Sequence, residues 1–426
     1  MKYLCLILMN INIIFTYIKL SFKTHKSDNY DYLFYNYLYI NIDVGIPKQD
    51  NIKLVLKQSK YSFYLYNNNF FSNVSYISKS SSKYKALLNE NFDLTSSNCL
   101  NGIFSKDTFF VDNQRIDNLT FILCTKSRNE EYKLFDGEIG LNLEYESPPN
   151  TNFIEALKIN EIINNYIYSI VYVNDEEGFL LIGEYPHKIN LINNIYDKYS
   201  VFKEENLFWV HSEISKNNFY YTLLFDKISY GSGEIYQAQR EARISIEINY
   251  ILSTPQYYKL FKDIFGRKCG PFSFENDLQG FRCSKDINIE LTPEIKFYNK
   301  ELNTTFILDY NDLYMEKDNY LYFLVVNYFD YEPGYWILGK PFLKKYLFLF
   351  DLDNKMIGFY KYSDNNDNNT SSNKISSYYV SIIMNVLLGI IVIILIFIFY
   401  HYIMKKRRIR ANELEDTFNY TSKNDK

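Results

Sequence analysis

The stretch Trp336-Ile-Leu-Gly-Lys-Pro-Phe-Leu-Lys-Lys-Tyr-Leu-Phe-Leu-Phe-Asp-Leu-Asp-Asn-Lys-Met-Ile-Gly-Phe359 decides the fold of this 426-residue chain. Upstream of it, from Asn29 onward, the text is cut into short runs rich in β-branched and aromatic residues and bounded by turn formers. Leu38-Tyr-Ile-Asn-Ile-Asp-Val44, Phe109-Phe-Val111, Leu119-Thr-Phe-Ile-Leu123, Tyr168-Ser-Ile-Val-Tyr-Val173 and Phe179-Leu-Leu-Ile182 read as strands. Helical spacing is sparse and clearest at 152–164 and 256–265. The layout predicts an all-β protein with small helices.

Charge bounds the function. Lys and Arg number 46 against 50 Asp and Glu, a formal net charge of −4, and only 23% of residues are charged. A nucleic-acid binder carries a large basic excess, so that partner class is set aside. The hydrophobic share of 47% is enough for sizeable cores, and the length suggests two lobes rather than a disordered chain.

Two apolar segments bear on the compartment. Met1-Lys2 is followed by an apolar run from Leu4 to Phe15, interrupted by Asn10 and Asn12. It reads as a signal peptide over residues 1–22, cut between about Tyr17 and Thr24; an uncleaved signal anchor is the alternative. The second segment, 380–403, would span roughly 36 Å as a helix, enough to cross a bilayer with some tilt. Tyr378, Tyr379, Tyr400 and Tyr402 stand at its two ends, and Lys405, Lys406, Arg407, Arg408 and Arg410 follow it. The positive-inside rule then makes 404–426 a cytoplasmic tail and the bulk of the chain lumenal or extracellular, in a single-pass type I membrane protein of the secretory pathway. Residues 363–377, rich in Asp, Asn and Ser, read as a flexible stalk of roughly 20 Å reach.

Beyond Cys5 in the leader, Cys99, Cys124, Cys269 and Cys283 remain, an even number suited to two disulfides in an oxidising compartment. Sequence proximity favours Cys99–Cys124 and Cys269–Cys283, although four cysteines allow three pairings. No Cys-x-x-Cys pair or nearby His suggests zinc, so neither metal nor cofactor is expected. Asn73, Asn118 and Asn303 begin glycosylation sequons, as do Asn368 and Asn369 in the stalk.

The segment 336–359 closely resembles the C-terminal signature of pepsin-like aspartic peptidases. In that family it is an apolar-apolar-Gly strand, here Ile337-Leu338-Gly339, then a short helix, 341–346, and a strand pair, 347–352 and 356–360. Phe135-Asp-Gly-Glu-Ile-Gly-Leu141 looks like the matching element of the first lobe. Gly102 to Val111 resembles the strand returning from the active-site flap, and Val44-Gly-Ile-Pro-Lys-Gln49 the N-terminal Gly-Thr-Pro-x-Gln turn. Leu181-Ile-Gly183 and Phe208-Trp209 resemble the junction between lobes, and Cys269 and Cys283 sit like the second lobe's disulfide. The resemblance implies a bilobal all-β fold with a central cleft, its lobes at 29–190 and 191–362.

It also implies a catalytic pair. In the family each lobe supplies one Asp in an Asp-Thr/Ser-Gly loop, and the two carboxyls share a proton across the attacking water. Counting forward from Val44 puts Lys57 at the first Asp position, and counting back from Pro255 puts Ile246 at the second. Glu247 is the nearest acid, and Thr95 takes the position of the flap Tyr. Asp43 and Asp50 are the other acids near the loops. The expectation is a chain with no catalytic residues, binding a peptide or protein in the cleft. Lys57 and Glu247, beside equivalent loop positions, could instead pair across the cleft. An active aspartic-type endopeptidase with atypical groups is the alternative function, and a structural surface protein a further one.

Overall fold

The computed structural model describes residues 17–360 except 26–34, 61–62, 68–74, 88–91, 94–98, 113, 128–133, 143–151, 190–202, 213–220, 232, 237–238, 266–268, 274–277, 288–292 and 329–333. The described residues all belong to one compact unit that spans residues 1–362. Alternation of apolar and polar residues makes the first strand, Ile18–Thr24. Its Ile18, Leu20 and Phe22 are buried, while Ser21 and Lys23 face solvent.

That strand lies mid-way in a 14-stranded sheet. On one side come Glu177–Ile182, Ile167–Tyr172, Phe348–Asp351, Met356–Tyr360 and Leu207–His211. On the other come Leu38–Val44 and Gln49–Lys57, and beyond them the long hairpin of Cys99–Val111 with Gln114–Ser127. An eight-stranded sheet built around Tyr320–Tyr328 and a four-stranded sheet around Ile295–Asn299 complete the mostly-β architecture. Strands from both expected lobes share the large sheet, since Ile167–Tyr172 pairs with Phe348–Asp351.

The closing stretch folds as the resemblance implies, with its helix one residue earlier. Trp336–Leu338 is a strand, and Gly339 caps a helix at Lys340–Lys345 whose first turn takes Pro341. Phe348–Asp351 and Met356–Tyr360 then form a hairpin, with Lys355 in a left-handed conformation (φ 54°) at its turn. Trp336 is fully buried and meets the Tyr257 ring edge-on at 4.4 Å. Tyr257, Phe261 and Phe265 form the buried face of helix Pro255–Phe265, at the i, i+4, i+8 spacing of one stripe.

The helix expected over 152–164 is shorter, Phe153–Ile159. Asn152 caps its start by accepting the Glu155 N–H, and Glu161 in a left-handed conformation (φ 58°) follows its end. Disulfides join Cys99 to Cys124 and Cys269 to Cys283, the latter two directly opposite in an antiparallel ladder. Asn118 and Asn303 are exposed; Asn73 and Thr95 lie outside the described residues.

One expected boundary falls inside a strand. Residue 22, taken as the end of the leader, falls inside Ile18–Thr24, and a leader ending there would carry away three buried apolar side chains. Residues 1–16, and the expected stalk 363–377, span 380–403 and tail 404–426, lie outside the described residues. Among the described residues no helix is long and apolar enough to cross a membrane.

A half-buried histidine supplies a pH dependence. His187 Nδ1 lies 2.7 Å from the Tyr360 hydroxyl, and its ring stacks on Tyr185. Burial lowers its pKa; Glu204 and Glu184 oppose that shift and Lys188 adds to it. With the folded value below the unfolded one near 6.5, stability is intact above that pH. As the pH falls below it, the unfolded chain takes the proton first and stability declines. On acidification from about pH 7 to about pH 5, the wild-type melting temperature should fall by more than that of His187→Asn. Equal slopes in thermal melts would remove the assignment.

Candidate functional site

Two parallel strand pairs set up the site. Gln49–Lys57 runs beside Gly137–Gly140, with Leu56 opposite Ile139 and Lys57 opposite Gly140. In the other half, Arg240–Ile244 runs beside Trp336–Leu338, with Ile244 opposite Leu338. The Ser245 N–H continues that ladder by donating to the Leu338 carbonyl at 3.0 Å. Each partner strand ends in an apolar residue followed by Gly, Ile139-Gly140 and Leu338-Gly339. In this shared register Ser245, not Ile246, is the counterpart of Lys57, while Ile246 matches Gln58 and Glu247 matches Ser59.

The reason for the correction is visible in how Ile246 is used. Its side chain is fully buried, and it meets the site through its backbone. Its N–H donates to Gln58 Oε1 (3.1 Å), and its carbonyl accepts from Asn36 Nδ2 (2.8 Å). Counting back from Pro255 misplaces the loop by one residue because the connection to the helix has its own length.

Glu247 joins the two loops. Its Oε1 accepts the Ser59 N–H at 2.7 Å, and its Oε2 lies 3.9 Å from Lys57 Nζ. Its own N–H donates to Ser245 Oγ at 3.2 Å, and its carbonyl accepts the Asn36 N–H at 2.8 Å. The Lys57 and Glu247 side chains are only 10% and 20% exposed, so this ion pair is largely screened from water. Lys57 Nζ also stands 5.1 Å over the Tyr37 ring, which stacks on Tyr35.

Behind the floor, polar side chains hold the loops in place. Gln58 Nε2 donates to the Tyr168 hydroxyl at 3.2 Å, and Asn36 Nδ2 to that of Tyr172 at 2.6 Å. Burial raises both phenol pKa values, so these hydroxyls stay protonated at physiological pH. Asn249 Nδ2 donates to the Tyr35 carbonyl, and the Ile248 carbonyl accepts the Lys340 N–H. Three segments, 35–37, 57–59 and 245–249, are thereby laced into one floor.

The other candidates lie elsewhere. Asp43 is used in the hairpin turn, taking Lys48 Nζ at 3.1 Å and the Asn51 N–H at 3.2 Å. Asp50 is exposed on its strand. Tyr250 is buried among Leu252, Leu278, Tyr322 and Val326. A cavity of about 600 Å³ lined by Thr24, His25, Tyr314 and Lys344 touches the floor's surroundings through Asn249 and Lys340. Among the described residues no group of three or more His, Cys, Asp or Glu is placed to hold a metal ion.

Sequence reading singled out Lys57 and Glu247, and the fold brings them together. It missed Ser245, Asn36 and Tyr37. The repeated apolar-Gly ends of the two partner strands were the available signal for Ser245. Nothing in the text marks Asn36 among so many asparagines. The family model for eukaryotic aspartyl proteases matches residues 37–362. Comparison with curated proteins finds no match.

Proposed function

The chain belongs to the eukaryotic aspartyl protease family, and from that premise we propose that it is a non-catalytic member, anchored in a membrane and binding a peptide or protein in its cleft. The observation that carries this reading is the floor itself. At the two register-equivalent positions stand an amine, Lys57, and a hydroxyl, Ser245. Among the described residues the carboxylate at these loops, Glu247, is engaged by the Ser59 amide and the Lys57 ammonium. Peptide hydrolysis in this family needs two carboxyls sharing a proton, one as acid and one as base, and this floor offers the materials of a clasp instead.

The membrane part of the proposal rests on the sequence: a leader, a C-terminal span at 380–403 and a basic flank that orients the tail toward the cytosol. The ectodomain would then face the lumen or the exterior, where its two disulfides are stable and Asn118 and Asn303 are open to glycosylation.

Purified protein incubated with a mixed peptide library between about pH 3 and about pH 6, the range over which such a dyad works, is expected to leave every peptide intact by mass spectrometry. Cleavage that disappears in Glu247→Gln would overturn the reading in favour of a peptidase with atypical groups.

A further inference from the structure

We propose that Ile18–Thr24 is kept in the mature protein as its first strand, so that a leader, where one is removed, is cut N-terminal to Ile18. This rests on the leader in the functional reading but stands on separate geometry. Ile18 to Lys23 pair residue by residue with Ile182 to Glu177, and Phe22 to Thr24 pair with Ile40 to Leu38 on the other side. In the order of the large sheet the strand is the link between two groups: the strands that end in Leu207–His211, and those that begin with Leu38–Val44. Without it, the ladder on each side faces an unpaired row of N–H and C=O groups in the protein's interior.

Side chains agree with the backbone. Ile18, Leu20 and Phe22 are 0%, 5% and 1% exposed, and Phe22 meets the Tyr172 ring edge-on at 5.3 Å. Tyr172 is the phenol that holds Asn36 behind the cleft floor, so the strand supports the site as well as the sheet. A Cβ on Gly178, the residue paired with Phe22, would come within 2.5 Å of that ring, which shows how closely the strand is fitted against its neighbour. The Lys19 N–H donates to Asp112 Oδ2 at 3.0 Å and ties the strand to the end of Cys99–Val111. A cut inside the window 18–24 would sever these contacts one after another.

The test is the N-terminal sequence of the full chain purified from a eukaryotic secretory host. A first residue at position 18 or lower is expected. Folded protein that begins at residue 19 or beyond would overturn the proposal. Retention of Met1 would uphold the strand while refuting the cleaved leader, so the two ideas fail separately. A second measurement guards against incomplete processing. Chains expressed to start at Ile18 and at Lys23 should differ, the first giving a cooperative thermal transition and the second none. Equal transitions would overturn the proposal as well.

Discussion

Glu247→Ala is expected to lower the melting temperature by about 4 °C. Breaking a buried ion pair from one side costs about 3–5 kcal/mol, because the partner charge is left without compensation. At 3.9 Å and with 10% and 20% exposure, the Lys57–Glu247 pair belongs at the lower end, about 3 kcal/mol. At about 2.1 cal/mol/K of unfolding entropy per residue, a unit spanning residues 1–362 moves its midpoint by about 1–1.5 °C for each 1 kcal/mol. The truncation also takes the acceptor from the half-buried Ser59 N–H, which adds to the loss.

Lys57→Met alone should cost less, since Glu247 keeps its amide donor. The double substitution Lys57→Met with Glu247→Ala should then recover part of the loss, giving a coupling of about 1–2 kcal/mol in a double-mutant cycle. Were the pair an ordinary solvated contact, worth about 0–1 kcal/mol, the single changes would be small and strictly additive. Thermal melts of the four proteins decide between these outcomes.

The parts of this site that could be read in the sequence are those set by local pattern. The strand, helix and hairpin of 336–360 could be expected because that stretch resembles the family's C-terminal signature, and they fold within one residue of what the resemblance implies. Lys57 and Glu247 could be paired because they flank equivalent loop positions. Ser245 could not be fixed, because its position depends on a parallel ladder with Leu338, more than ninety residues away. Counting from Pro255 substitutes a local ruler for that long-range register, and a slip of one residue exchanges a buried side chain for one at the site. Asn36 and Gln58 act through contacts over equally long separations, to Ile246 and the buried phenols. Ile18–Thr24 alternates apolar and polar residues, but its place beside Glu177–Ile182 depends on a partner far along the chain.

Register at the site is held by glycine, and this yields the second large effect. In Gly339→Ala the new Cβ would sit 2.2 Å from the Tyr250 carbonyl oxygen and 2.6 Å from that of Ile248. Both obstacles are backbone, so no rotamer change can relieve them. The chain must shift, and the loop that shifts carries Ser245, Glu247 and Asn249. Overpacking of this kind costs about 1–3 kcal/mol and can cost more when backbone is involved, so a loss of about 3 kcal/mol is expected. Gly270→Ala is the control, since nothing lies within 4 Å of its added Cβ, and its effect should stay within about 0.5 kcal/mol.

The two glycine variants distinguish a general dislike of alanine from a clash at the floor. A further comparison locates the damage. If Gly339→Ala displaces the second loop, the Lys57–Glu247 contact weakens with it, and Glu247→Ala made in that background should cost less than in the wild type. An undiminished cost would mean that the loop kept its place and that the alanine was absorbed elsewhere, which would break the link drawn here between the strand ending at Gly339 and the geometry of the cleft floor.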